Sequence, residues 1–166
     1  MGQSVIVGLV AILSALIGGV MPQRIQRRSE ERKLRREKLE SLFIEIDDWF
    51  NNAFNLFCIQ FDLVFEGAID WNGYLDIINN QTYQGKFQKA KMTIYLYFNE
   101  LENEYNKLVQ SVQDINALIN GEIKQSYAQG ANINSFRPRH QEKIKLSLEL
   151  MDAIRNHIRT LARSLS

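Results

Sequence analysis

Cysteine, proline and glycine are all scarce in this chain. Its 166 residues contain one cysteine, two prolines and nine glycines. A single cysteine excludes an internal disulfide framework, and one cysteine with two histidines argues against a dedicated zinc site. Five of the glycines (Gly2, Gly8, Gly18, Gly19, Gly67) lie in the first 67 residues. A β-sandwich or barrel turns about every 8–12 residues and needs more such punctuation. The catalytic signatures are missing as well. There is no phosphate-cradling G-x-x-x-x-G-K-[ST], no G-x-G-x-x-G after a strand, no G-x-S-x-G elbow and no H-E-x-x-H. No catalysis, no cofactor and no small-molecule substrate is therefore expected.

Charge is absent altogether from Met1 to Gln23. Within that stretch, Val5 to Met21 is apolar apart from small residues. Residues 4–21 as a helix span about 27 Å at roughly 1.5 Å per residue, against a hydrocarbon core of about 30 Å. Flanking arginines that snorkel, or a locally thin bilayer, make up the difference. A cleaved signal peptide requires a positive n-region and a small-residue cleavage site, and this N-terminus carries no lysine or arginine. A buried core helix is the other alternative. The expectation is a transmembrane anchor over 1–23.

The densest charge follows at once. Arg24, Arg27, Arg28, Arg32, Lys33, Arg35, Arg36 and Lys38 supply 8 of the 20 basic residues. Positive charge beside a span stays in the cytoplasm, and only three uncharged residues precede the span. The predicted topology is single-pass in the cell's inner (plasma) membrane, with the N-terminus outside and residues 24–166 in the cytoplasm. Arg24, Arg27 and Arg28 lie within about a Debye length of the lipid, where each contributes roughly 1 kcal/mol with anionic headgroups. Later charges read as helical i,i+4 pairs on an exposed stalk over 24–40, Arg36–Glu40 among them. After Glu40 the chain holds 12 basic and 15 acidic residues, so the remainder is mildly acidic.

Hydrophobic residues make up 45% of the chain and charged residues 23%, which fits one packed domain. Their spacing is helical throughout. Leu39, Leu42, Ile46, Trp49, Phe50, Ala53, Phe57, Phe61 and Val64 recur at three and four, which predicts a first helix running to about Glu66 and stopped by Gly67. Phe87, Ile94, Leu101, Leu108 and Ile115 are each seven apart. That repeat predicts one second helix from Lys86 to Asn120, extendable to Ala128, with a coiled-coil-like seam. A last helix follows the connector 129–135, with Ser135 as its cap, Pro138 in its first turn and a seam of Ser147, Met151, Ile154, Ile158, Leu161 and Leu165.

The fold class expected is all-α. A single N-terminal transmembrane helix is followed by an antiparallel bundle of three long helices over 41–166, with a short helix or loop at 67–85. The short segment either caps a bundle end or completes a four-helix arrangement.

Few residues stand out as chemistry. His140, in the run Arg137-Pro-Arg-His, reads as an exposed helix start, and His157 as a boundary residue. Cys58, between Phe57 and Ile59, reads as an inert buried thiol. The acidic groups Glu45/Asp47/Asp48 and Glu100/Glu102/Glu104 read as solvated faces, because no histidine accompanies them as in di-metal bundles. The arginine run has no aromatic neighbours, which argues against nucleic acid. Two features point to assembly with a protein partner, with a second copy or within the lipid bilayer. Gly8, Ala11, Ala15 and Gly19 form a small-residue stripe suited to self-association of the span. Trp71, Tyr74 and Tyr83 form a candidate partner patch, with plugging of the bundle end as the preferred role. Two readings of function follow. One is an interaction or self-assembly module at the cytoplasmic face. The other is a membrane-perturbing effector whose span oligomerises when a partner signals.

Overall fold

The computed structural model describes residues 21–80 and 86–165, and those residues are helical with no strand among them. None of the described helices is long and apolar enough to cross a membrane. The expected span ends where the described residues begin, and the stripe Gly8, Ala11, Ala15 and Gly19 lies outside them, as does Tyr83.

Helix α1 (Met21–Phe54) passes through a π-turn (Asn55–Gln60) into α2 (Phe61–Phe65), forming one long rod. Its apolar spacing carries directly into burial, with Leu39, Leu42, Ile46, Trp49, Phe50, Ala53, Phe57, Phe61 and Val64 all buried. The rod stops where expected. Gly67 adopts φ 69°, its N–H bonds Val64 O, and Ala68 N–H bonds Leu63 O at 2.9 Å. That pair of bonds closes a Schellman motif, and only glycine takes the left-handed position cheaply. A short helix α3 (Trp71–Asn79) follows, capped by Asp70, whose carboxylate accepts Gly73 N–H at 2.8 Å.

The second expected helix is not one helix. Its residues form α4 (Lys86–Tyr97), a 3-10 turn (Asn99–Leu101) and α5 (Glu102–Leu118), which continues through a second π-turn (Ile119–Ile123) into α6 (Lys124–Ala128). At Phe98 the backbone leaves the helical region (φ −143°, ψ 54°), and the chain reverses. Direction is fixed by contacts across the bundle. Lys89 meets Glu45, Lys38 stacks on Tyr97 and Arg35 meets Glu100, so α4 runs antiparallel to α1. The seven-residue repeat therefore crosses a corner. Ile94, Leu101, Leu108 and Ile115 all reach the same core, Ile94 from before the reversal and the other three from after it.

The physical reason lies in burial. Phe98 and Leu101 are both fully buried at the corner, a gain of about 1.5–3 kcal/mol each, while an interrupted helix forfeits backbone bonds worth about 1 kcal/mol apiece. Arg35 recovers one of these, donating from Nη2 to Tyr97 O at 3.2 Å with its guanidinium 5.6 Å above the Phe98 ring.

The last helix, α7 (Arg137–Ser164), returns antiparallel to α5–α6, as the pairs Glu104–His157, Ser111–Ser147 and Glu122–Arg139 show. Its seam residues Ser147, Met151, Ile154 and Ile158 are buried, with Leu161 and Leu165 partly so. Pro138 occupies its first turn, but Ser135 is not its side-chain cap. Ser135 Oγ donates instead to Asn132 O within the preceding 3-10 turn (Ile133–Phe136). Arg155 reaches from α7 to Asp47 on α1, with Nε 3.1 Å and Nη2 2.5 Å from one carboxylate oxygen. The result is a four-helix arrangement of α1, α4, α5 and α7. Helices α1 and α4 pack closely, as do α5 and α7, whereas α4 and α5 meet only lightly.

Candidate functional site

Three regions collect side chains with more than packing chemistry. The first is the bundle end under α3. The π-turn of the α1–α2 rod brings Cys58 inward, α2 contributes Asp62, α3 contributes Trp71 and Tyr74, and α7 contributes Arg137 and His140. Trp71 and Tyr74 are buried at the bundle end, which accords with the plugging role preferred for them over a partner patch. Phe61 organises them, with ring centroids 4.9 Å from Tyr74, 6.0 Å from Trp71 and 5.3 Å from His140. Trp71 N–H also donates to Tyr127 OH at 3.4 Å.

The expectation for His140 is corrected. It is fully buried (0% exposed), because α7 enters the bundle at the level of Phe57 and Phe65. Its Nε2 lies 2.8 Å from Phe57 O. A carbonyl only accepts, so Nε2 carries the hydrogen and Nδ1 is the bare nitrogen. Burial holds the imidazole pKa below its ordinary value, against the opposing pull of the Phe57 hydrogen bond and the Asp62 charge. Several polar atoms here have no hydrogen-bond partner among the described residues: His140 Nδ1, Tyr74 OH, Trp71 Nε1, Arg137 Nε and Asp62 Oδ1. Asp62 and Glu66 instead face Arg137 Nη2 as ion pairs at 3.7 and 3.3 Å.

A thiol, an imidazole and a carboxylate at one place resemble a nucleophilic set, but the chemistry is shut off. Cys58 is 5% exposed. Burial first, then the nearby Asp62 charge, pushes its thiol up to about 12, so it is protonated and inert at neutral pH. Tyr74 is raised in the same way by burial. Among the described residues, no three His, Cys, Asp or Glu side chains converge as a metal site.

The second region is the basic collar. Arg24, Arg27 and Arg28 are exposed on α1, and residues 23–37 all face solvent. Further along, Ser29, Arg32, Lys33 and Arg36 line a shallow groove with Ile25 and Leu165, so the end of α7 returns to the stalk. The expected Arg36–Glu40 pair forms at 3.2 Å. Packing of the rod begins at Arg35, which reaches the α4–α5 corner, and at Leu39.

The third region is a cleft of about 480 Å³ where α4 and α5 diverge. Ile94 and Tyr105 form its floor, Gln88, Lys91, Met92 and Tyr95 one wall, and Glu102 and Asn106 the other. On that first wall Met92 and Tyr95 stand 64% and 73% exposed, with Leu96 beside the cleft at 56%, the closest grouping of large exposed apolar side chains among the described residues.

Sequence reasoning missed His140, Arg35 and this cleft. The signal for His140 was present: residues 140, 144, 147, 151, 154 and 158 alternate four and three, so the last seam starts at the histidine. The signal for the cleft was the cluster Glu100, Glu102 and Glu104, which marks the first turn of a new helix, where acids favour the dipole. No family model, curated protein or solved structure matches the chain.

Proposed function

We propose that this chain is a single-pass, membrane-anchored helical bundle that works by binding a protein partner or a second copy of itself at the cytoplasmic face, without catalysis of its own. The observation that carries the reading is the distribution of charge. An uncharged segment over 1–23 is followed at once by Arg24, Arg27 and Arg28, exposed on a helix that runs without interruption into the bundle. Three arginines beside a span resist translocation, and anionic headgroups hold them at the inner leaflet. A rigid helical stalk then sets the bundle off from the lipid surface. The burial of Cys58 and His140 leaves the exposed surfaces as the working parts.

The test is topology in intact cells. A tag after Ser166 is expected to resist protease added outside, to be digested after lysis, and to stay with membranes through alkaline extraction. Digestion from outside, or a mature product lacking residues 1–23, overturns the proposal. Collapse of the membrane potential on expression replaces it with the effector reading.

A further inference from the structure

The cleft between α4 and α5 has a specific occupant written into its charges. Helix α4 carries Lys86, Lys89 and Lys91 and no acid, while the corner and first turn of α5 carry Glu100, Glu102 and Glu104. Three of these six charges pair with other residues of the chain. Lys89 Nζ lies 2.5 Å from Glu45, Arg35 faces Glu100 at 3.8 Å, and His157 faces Glu104 at 3.0 Å. Lys91 and Glu102 are exposed on opposite walls of the cleft. Between and beside them stand the protruding Met92, Tyr95 and Leu96.

A projection and a recess lying side by side on one face, each wall bearing the charge opposite to the other, is the pattern of a self-complementary surface. A two-fold axis turns it onto a copy of itself, with residue i on j and j on i. Resting on the membrane-anchored reading, we infer that the α4/α5 face docks a second copy of this chain. The axis runs along the bundle, because both stalks must enter the same bilayer. At one height above the membrane, the Met92, Tyr95 and Leu96 edge of each copy enters the cleft of the other. Lys91 of each copy then pairs with Glu102 of its mate. The light contact between α4 and α5 within one chain is what leaves room for this insertion.

The test is charge exchange in the full chain, measured as its monomer–dimer equilibrium in detergent micelles. Lys91→Glu sets two acids against each other, and Glu102→Lys two bases. Each single substitution is expected to weaken the dimer by roughly tenfold or more, and the double exchange is expected to restore it. Met92→Asp is expected to give monomer. Both charge positions are exposed, so an unchanged thermal melt keeps folding out of the reading. A dimer indifferent to all of these substitutions overturns this surface and leaves the membrane-anchored reading standing. A monomer at every concentration overturns it as well, as does a monomer whose capture of another protein is abolished by Met92→Asp. Failure of the anchored reading itself shows separately, in the protease accessibility of the C-terminal tag.

Discussion

A neutral imidazole sealed between Phe61, Phe65 and the Phe57 carbonyl carries a signature in pH. On unfolding, His140 regains its ordinary value near 6.5 and takes up a proton that the folded form refuses. Below that value the unfolded chain binds more protons, so stability falls as pH drops, by up to about 1.4 kcal/mol per unit until the lowered folded value is passed. Above it, His140 contributes no pH dependence. The groups facing it set the size of the effect. Asp62 favours the charged ring, while Arg137 and the desolvation oppose it. Urea melts at about pH 7.5 and about pH 5.5 are expected to show this loss in the native chain. In His140→Phe, which keeps a ring but cannot titrate, the loss is expected to be smaller; equal losses in the two proteins refute the assignment. At this scale the sequence was legible for the apolar seams and for the burial of Cys58, although its neighbour Ile59 is exposed. It was not legible for His140, because a polar residue inside a basic run is discounted when a seam is traced. The four-three spacing that starts the seam at residue 140 signals the burial, but its hydrogen-bond partner is a carbonyl 83 positions away, which no local pattern names.

Elements were legible wherever one physical cause acted alone. The rod ends at Gly67 because a glycine is there to take positive φ; within 67–85, expected as a short helix or loop, the structure starts α3 after Asp70, whose carboxylate caps it. The corner at Phe98 has neither glycine nor proline. It is made by long-range burial, and a heptad pattern survives it because both arms serve one core. Phe98→Ala is the substitution that isolates this. Removing a fully buried phenyl costs about 3–5 kcal/mol, and it also takes away the ring beneath the Arg35 guanidinium. Amide hydrogen exchange is expected to accelerate over residues 88–97 more than over the buried stretch of α1. Helix α4 is short and depends on this corner at one end, whereas the buried stretch of α1 is also held by α7, where Arg155 pairs with Asp47. Uniform acceleration across the bundle would mean that the corner has no local role.

For the whole molecule, the question is where the anchor-side stalk ends and the cooperative unit begins. Residues 23–37 are exposed, and the first buried side chain of the rod is Leu39 at 1% exposure. Arg35 is the first described stalk residue with a hydrogen bond to another helix, through Tyr97 O, and its guanidinium lies over the Phe98 ring. Composition alone suggested a boundary by charge density, which fades gradually, whereas packing makes a sharp one. Shortening the chain from its start should therefore be nearly silent and then abruptly costly. Loss of residues 1–23 is expected to release a folded domain from membranes. Loss of 1–31 removes only exposed positions, each worth within about 0.5 kcal/mol, and is expected to leave the melting temperature within about 2 °C of that domain. Loss of 1–39 takes away Leu39 and the Arg35 clasp together, for about 3 kcal/mol or more, and a fall of roughly 10 °C is expected. Thermal melts followed by circular dichroism on the three truncations decide it. A steady decline across the series would mean that the stalk belongs to the fold, and the bundle would then sit against the bilayer instead of standing away from it.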